Sequence, residues 1–464
     1  MERMSRMATA EYIGAKRRAY AGATPAKRRR LLDEVLETTG YSRKYANRLL
    51  TGSRKFRERK GRGKTYTDEA RTVLTRIWQE AGCPCPPYLK AGMERWVAEY
   101  ASEVAHIPPG IRGELLRMSA STMARMLAGK PRTKPGWSKA NKRSGRHGNN
   151  EIKAKAPCAS GETVMGCLVP PGDVQVDTFA LGGGGAAEEF FWILDATDRK
   201  TQWTVLAPTW NRGRHATCAA LAHIREQFPF AMLSIHADNG GEILNHHVAA
   251  WLGLQPRPPF LWRSRPRKSN DNAHVEEKNR SSGRQLFGEV RLDCPDLQGE
   301  LEKLCDEWSA FRNFFCPCKM LISKEKREDG KGYRCRYDAP RTPFERLLEE
   351  GVLTAEQEAA LRKQRDRLSG MELYRRVRKR LKKIRRRQEA YTKVKRQGAV
   401  GAPARPALPL RGTPSGTAVQ RRSAHRPLAP PAPHHSSPSQ ERVASVQYLT
   451  NQKPPPYLKS VLSI

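Results

Sequence analysis

Long apolar runs are missing from this sequence: no stretch of its 464 residues approaches the roughly 20 apolar positions that cross a bilayer, so membrane anchoring is not expected. The opening residues, Met1 to Ala10, carry charge but no apolar core, which argues against a secretory leader and for a cytoplasmic, nucleoid-associated protein. A disulfide framework is missing too. Ten cysteines are scattered without regular spacing, the two tight pairs are Cys-Pro-Cys rather than Cys-x-x-Cys, and free thiols in a reducing compartment are the expectation. Acid is in short supply: 47 Asp and Glu face 85 Lys and Arg, a formal charge of +38. A densely negative partner follows, and nucleic acid fits it best.

At roughly 150 residues per domain the length suggests about three units plus a tail. Within 1–60, Pro25 to Leu36 reads as a helix and Gly40 as a break. Ser42 then stands to cap a second helix in which Ala46, Leu49 and Leu50 share one face while Arg43, Lys44, Asn47 and Arg48 point outward. That is helix-turn-helix chemistry with a basic recognition helix, expected on DNA. Residues 61–130 predict a second helical domain. Its last part, from Ser119 to Leu127, repeats the pattern more weakly, with Met123, Met126 and Leu127 inward and Thr122 and Arg125 outward. Residues 131–163 are rich in Lys, Arg, Gly, Pro and Ser and read as an extended basic linker along phosphates.

Between 164 and 297 the pattern changes to short β-branched and aromatic runs alternating with helical ones. Strands are expected at Val174 to Phe179, Phe190 to Asp195, Gln202 to Leu206, Met232 to Asp238 and Phe260 to Arg263. Helices are expected at Arg214 to Gln227, around Ile243 to Trp251, and from Asp271 to Phe287. The order β-β-β-α-β-α-β-α is the ribonuclease H-like α/β plan, a mixed five-stranded sheet with helices. All-α domains precede it and a basic, partly disordered tail follows.

Phosphodiester chemistry with two Mg²⁺ ions needs hard carboxylate ligands converging at one edge of such a sheet. Asp177 lies on the opposite side of its strand from Val174 and Val176. Asp238 ends a later strand and precedes Asn239-Gly240-Gly241-Glu242, whose glycines are read as letting the backbone turn away and leave the carboxylate exposed. For the third acid Asp271, Glu276 and Glu277 compete, with Glu242 outside them. If the segment is one α-helix, Val275, Ser282 and Leu286 mark its buried stripe. Glu276 then lies about 100° off, bordering the core, and Glu277 about 200° off, in solvent. Phase favours Glu276.

The words around these residues carry more. Val176-Asp177-Thr178, His236-Ala237-Asp238-Asn239-Gly240-Gly241-Glu242, the run from Arg263 to Arg280 and Asn313-Phe314-Phe315 occur in that order, with 37 residues between Asp238 and Glu276. Together they resemble a bacterial insertion-sequence transposase family of the DDE type with a retroviral-integrase-like catalytic core, over most of residues 10–350. The resemblance implies Asp177, Asp238 and Glu276 as catalytic acids and as ligands of two Mg²⁺ or Mn²⁺ ions. It implies 3′-end processing of DNA, strand transfer into a target, and a homo-multimer working on paired ends. It makes Asn239, His274 and Asn279 supporting neighbours of the acids and places Lys278 and Arg280 on DNA. Arg263, Arg265 and Lys268, clustered ahead of the catalytic helix, are read as phosphate contacts. The four glycines at 182–185 and the Phe314-Phe315-Cys316-Pro317-Cys318 run depart from the family pattern.

Residues 298–397 form a basic region without an assigned fold. Thirteen Lys or Arg between 375 and 396 surround Leu373, Val377, Leu381 and Ile384, giving a basic amphipathic helix for DNA or a partner. Residues 398–464, rich in Pro, Ala, Arg and Ser, are expected to be disordered. Two other classes use much of the same sequence: an inactive, transposase-derived DNA-binding protein, and a ribonuclease H-like nuclease without strand transfer. The complete acid set weighs against the first. The N-terminal DNA-binding pattern weighs against the second.

Overall fold

The N-terminal pattern folds as a three-helix unit, one of two in the chain, Met1–Thr65 and Tyr66–Ile464. The structure, a computed structural model, describes residues 4–53, 65–131, 156, 169–183, 189–211, 213–238, 240–265, 273–288, 290–328, 330, 332–400 and 438–455. The first unit consists of α1 (Arg6–Ala21), α2 (Pro25–Thr39) and α3 (Arg43–Leu50) around Ile13, Leu32, Val35, Ala46, Leu49 and Leu50. Between α2 and α3 the chain turns at Gly40 with φ +67°, a left-handed cap that glycine adopts without strain. Ser42 occupies the N-cap of α3, but its hydroxyl makes no cap bond, contrary to expectation. Burial of Ala46, Leu49 and Leu50 holds this short helix instead.

The second unit begins with α4 (Asp68–Glu80), α5 (Pro86–Ala91), α6 (Met93–Glu103), α7 (Pro109–Arg117) and α8 (Ala120–Leu127). Ser119 caps α8, accepting from the Thr122 N–H at 3.2 Å, with Met123 and Leu127 buried and Arg125 exposed as the sequence indicates. These helices share one apolar core with the sheet that follows. The expected separate domain at 61–130 is therefore part of the larger unit.

That sheet holds β1 (Asp173–Ala180), β2 (Phe191–Asp198), β3 (Thr204–Trp210), β4 (Ser234–Ala237) and β5 (Phe260–Arg263) in the order β3-β2-β1-β4-β5. The first three form an antiparallel meander, and β4 and β5 add in parallel beside β1. Parallel addition requires crossovers, supplied here by α9 (Arg214–Gln227) and α10 (His246–Gly253). The segment expected as one helix is broken into α11 (Ala273–Lys278), a π-turn (Asn279–Gly283) and α12 (Arg284–Phe287). Gly283 is required there, because a Cβ would lie 2.4 Å from Cζ of Phe179.

On each outer strand of the sheet one residue's backbone groups are bonded by a side-chain amide from a later segment. On the β3 side, α13 (Gln298–Phe315) presents Asn313, whose Oδ1 accepts from Thr204 N–H at 2.9 Å while its Nδ2 donates to Thr204 O at 2.8 Å. After it come β6 (Leu321–Lys326), β7 (Tyr333–Tyr337), α14 (Pro343–Glu350), α15 (Ala355–Asp366) and the long α16 (Gly370–Val400). Part of the basic charge of α16 is used inside the fold: Arg375 pairs with Glu80 and Glu103, and Arg380 with Glu300 and Glu307.

On the β5 side, α17 (Pro438–Asn451) packs on α10 and delivers Gln452, whose amide bonds Leu261 N–H and Leu261 O, both at 3.0 Å. Such bonds satisfy backbone groups that would otherwise invite edge pairing. Residues 398–464 were expected as a disordered tail; within it 438–451 is a helix in which Ser445, Tyr448 and Leu449 are buried. The linker expected over 131–163 and the tail at 401–437 lie outside the described residues, save 131 and 156. No described helix is long and apolar enough to cross a membrane.

Candidate active site

Three acid-bearing elements meet beside the middle of β1, just past the end of β4. Asp177 sits half-buried near the middle of β1, directly across from Asp195 on β2. Its Oδ1 accepts from the Thr178 N–H at 2.7 Å and its Oδ2 from Asn279 Nδ2 at 2.6 Å. Asp238 follows the last residue of β4 and accepts from Gly240 N–H at 2.7 Å. Neither Gly240 nor Gly241 takes a positive φ, so the reading of a glycine-dependent sharp turn is corrected. Glycine is needed at 240 for space: a Cβ would lie 2.6 Å from Asp238 Oδ1 and 2.7 Å from Glu242 Oε1. The two carboxylates thus flank that residue.

Glu242, ranked last from the sequence, is buried in this cluster and accepts from Thr178 Oγ1 at 2.7 Å. Burial, then the charges of Asp238, Glu242 and Glu276, push the Asp177 carboxyl up to about 7 against the pull of the Thr178 N–H. Three further carboxylates therefore act on Asp177. Asp195, fully buried beside it, is raised well above the usual carboxylate range by burial.

The π-turn changes the helix argument. Glu276 and Glu277 are both exposed, so Glu276 does not border the core as the unbroken helix required. What separates them is direction. Glu276 adds to the charge on Asp177, whereas Glu277 Oε2 lies 3.6 Å from Lys278 Nζ and acts on Asp195 and His274. Lys278, expected on DNA, is buried at 4 % exposure, with its Nζ 3.6 Å from Glu277 Oε2. His274 Nδ1 is 3.0 Å from Gln202 Nε2, and burial lowers its pKa to about 4, so it is neutral.

One buried side chain links all three acid-bearing elements. Gln175, two residues before Asp177 on β1, accepts the Val275 N–H through Oε1 at 3.1 Å, immediately before Glu276. Its Nε2 therefore faces His236 Nδ1, at 3.3 Å, two residues before Asp238. His236 is neutral because burial, then the charge of Arg199, lowers its pKa far below normal. With Nδ1 accepting, the proton resides on Nε2, which meets Ser264 Oγ at 3.0 Å beyond the end of β5. The imidazole also stacks on Trp262, centroids 3.8 Å apart.

Comparison with known proteins adds one relative and no family model. The chain is 30 % identical over 368 residues to the uncharacterized protein y4rM of Sinorhizobium fredii (strain NBRC 101917 / NGR234), covering 75 % of this chain and 97 % of that protein. This chain belongs to the y4rM family. No family model matches it.

Other positions expected to act in this y4rM relative are dispersed. Arg43, Lys44, Asn47 and Arg48 are all exposed on α3 of the first unit, Arg43 bonded to Asp33 at 3.1 Å and Asn47 to Tyr20 at 3.1 Å. Arg263 and Arg265 are half-buried, and Arg263 Nε donates to Ala156 O at 3.3 Å. Asn239, Lys268 and Asp271 lie outside the described residues, as does the side chain of Arg280.

The cluster's donors are hard oxygens suited to Mg²⁺ or Mn²⁺, and Asn279 Oδ1 is buried beside Asp177 without a partner among the described residues. Among those residues no three His, Cys, Asp or Glu are grouped as ligands of one ion. Mg²⁺ commonly takes one or two protein carboxylates and completes its shell with water and substrate phosphate. Asp177 and Asp238 meet that requirement. All eight described cysteines are free thiols.

Proposed function

We propose that the larger unit carries a ribonuclease H-like core and that the chain is a DDE-type transposase, a polynucleotidyl transferase acting on DNA ends. The observation that carries this reading is the convergence of Asp238, Glu242 and Glu276, from separate segments, on an Asp177 carboxyl raised to about 7 in a chain of net charge +38. Such a negative focus in a basic protein is costly unless a cation and a phosphate occupy it together. The sheet order β3-β2-β1-β4-β5, antiparallel then parallel, agrees with the expected plan.

In this reading Asp177 and Asp238 hold two Mg²⁺ or Mn²⁺ ions and Glu276 joins them. When bound, the ions activate the attacking oxygen and stabilise the leaving one. Asn279 orients Asp177 by donating to Oδ2, and Thr178 orients Glu242. The α3 face of Arg43, Lys44, Asn47 and Arg48 binds transposon ends, and copies of the chain pair them.

The test incubates full-length protein with Mg²⁺, labelled DNA ends from the flanks of its gene and a plasmid target. Joined product is expected from wild type and Glu277→Gln, and none from Asp177→Asn, Asp238→Asn or Glu276→Gln. Joining by all five proteins sinks the reading. Cleavage without joining replaces it with a nuclease, and loss in Glu242→Gln with retention in Glu276→Gln makes Glu242 the third acid.

A further inference from the structure

β6 and β7 form a two-stranded ribbon with no covered face: every residue of β7 is exposed, and every residue of β6 except Ser323. A bare hairpin is marginal by itself. This one is fixed at its base, where Asp338 accepts from Met320 N–H at 2.7 Å and pairs with Arg346 at 2.6 Å. Beyond the base it exposes Ile322 (56 %), Tyr333 (55 %) and Tyr337 (54 %) to solvent.

The cations on the ribbon are distributed over both faces. Lys324 pairs across with Cys335 and Lys326 with Tyr333 on one face, while Ser323 and Glu325 stand opposite Arg336 and Arg334 on the other. Lys324 Nζ lies 4.4 Å from the Tyr333 ring centroid. Lys324, Lys326, Arg327, Arg334 and Arg336 have no acidic partner among the described residues, unlike the Arg375 and Arg380 cations of α16. Charge that the fold does not use, interleaved with tyrosines, suits phosphate together with a groove wall.

We propose that this ribbon is an arm for double-stranded DNA, a partner that deepens the transposase reading and rests on it. A major groove about 12 Å wide admits a two-stranded ribbon. Six residues at about 3.3 Å each give roughly 20 Å, the length of about six base pairs. A second copy of the arm is the poorer occupant, since between 321 and 337 six Lys or Arg face three Asp or Glu and two such arms repel.

The test uses full-length protein, a fluorescein-labelled 40-base-pair duplex and anisotropy from 50 to 200 mM salt. The variant Lys324→Ala/Lys326→Ala/Arg334→Ala/Arg336→Ala should melt with wild type, because its side chains contact no core. It should bind more than tenfold more weakly at 100 mM salt, with a log–log salt slope smaller by up to about 3.6, near 0.9 per lost phosphate contact. Amide exchange in 321–337 should slow when the duplex is added to wild type. An unchanged slope with unchanged exchange overturns the arm while leaving the transposase reading intact. A wild type that binds no duplex overturns the DNA reading itself, and exchange that slows with protein concentration alone assigns the ribbon to a second copy.

Discussion

Replacing Gln175 by methionine keeps the shape of the side chain and removes the tie between the three acid-bearing elements. Two buried groups lose their partners: the Val275 N–H, donating at 3.1 Å, and His236 Nδ1, at 3.3 Å. Val275 and His236 are both fully buried, so water does not replace either bond. An unmet buried polar group costs about 1–3 kcal/mol, which places the loss near 2–6 kcal/mol, short of a typical total stability of about 5–15. Gln175→Met should therefore fold and should unfold at lower urea with an unchanged slope. The effect on the site should exceed this thermodynamic one. With the first turn of α11 no longer held to β1, Glu276 loses its fixed distance to Asp177, and Mn²⁺ titration by calorimetry should give at least tenfold weaker binding. DNA affinity, which depends on other surfaces, should stay within twofold. Stability falling as stated with Mn²⁺ affinity unchanged would refute the reasoning and leave Gln175 an ordinary core amide.

Asp177→Asn should stabilise the metal-free protein: a carboxyl raised from 3.8 to about 7 carries a cost near 4 kcal/mol that is absent below pH 4, grows as pH rises and is complete above pH 7. About 1 kcal/mol is lost through a disturbed hydrogen bond at either pH, so urea melts in EDTA should show a gain near 3 kcal/mol at pH 8 and a loss near 1 kcal/mol at pH 4; equal effects at both sink the idea. Gly283→Ala forces a methyl against Phe179, 2.4 Å from Cζ, and should cost about 1–3 kcal/mol in the same melts. Gln452→Ala opens the β5 edge at Leu261 and should speed amide exchange of Leu261 with a loss of about 1–3 kcal/mol, whereas unchanged exchange would show that α17 does not close that edge.

Elements whose residues alternate or repeat within a few positions were legible in the sequence. The five strands and the break at Gly40 are local signals, and the structure has them. Features created by distant contact were not. Nothing near Pro438 separates a helix from disorder, because α17 is ordered by distant contact, as in the bond from Tyr448 to Pro259 O, 189 positions earlier. Glu242 gives no local signal because it is bonded to Thr178 of β1, 64 positions earlier, and burial of a single lysine such as Lys278 leaves no periodic trace. Asn313 belongs to both classes. Its place in a family word was visible, but its physical task, bonding both backbone groups of Thr204, appears only once α13 lies along β3.

The third acid depends on the same distinction. Helix phase weighed Glu276 against Glu277 on the assumption of a regular helix through Phe287, yet the π-turn starts at Asn279 and resets every position after it. The turn brings Asn279 Nδ2 to Asp177 Oδ2, and Gly283 lets the widened backbone rest on Phe179. π-Turns inside helices concentrate at functional sites because they re-aim side chains in this way. Upstream of the turn, the choice between the glutamates becomes electrostatic. Glu277 is answered by Lys278 at 3.6 Å, and adding a cation there gains little. Glu276 instead deepens the negative potential on Asp177, and a divalent ion placed between them relieves both charges together.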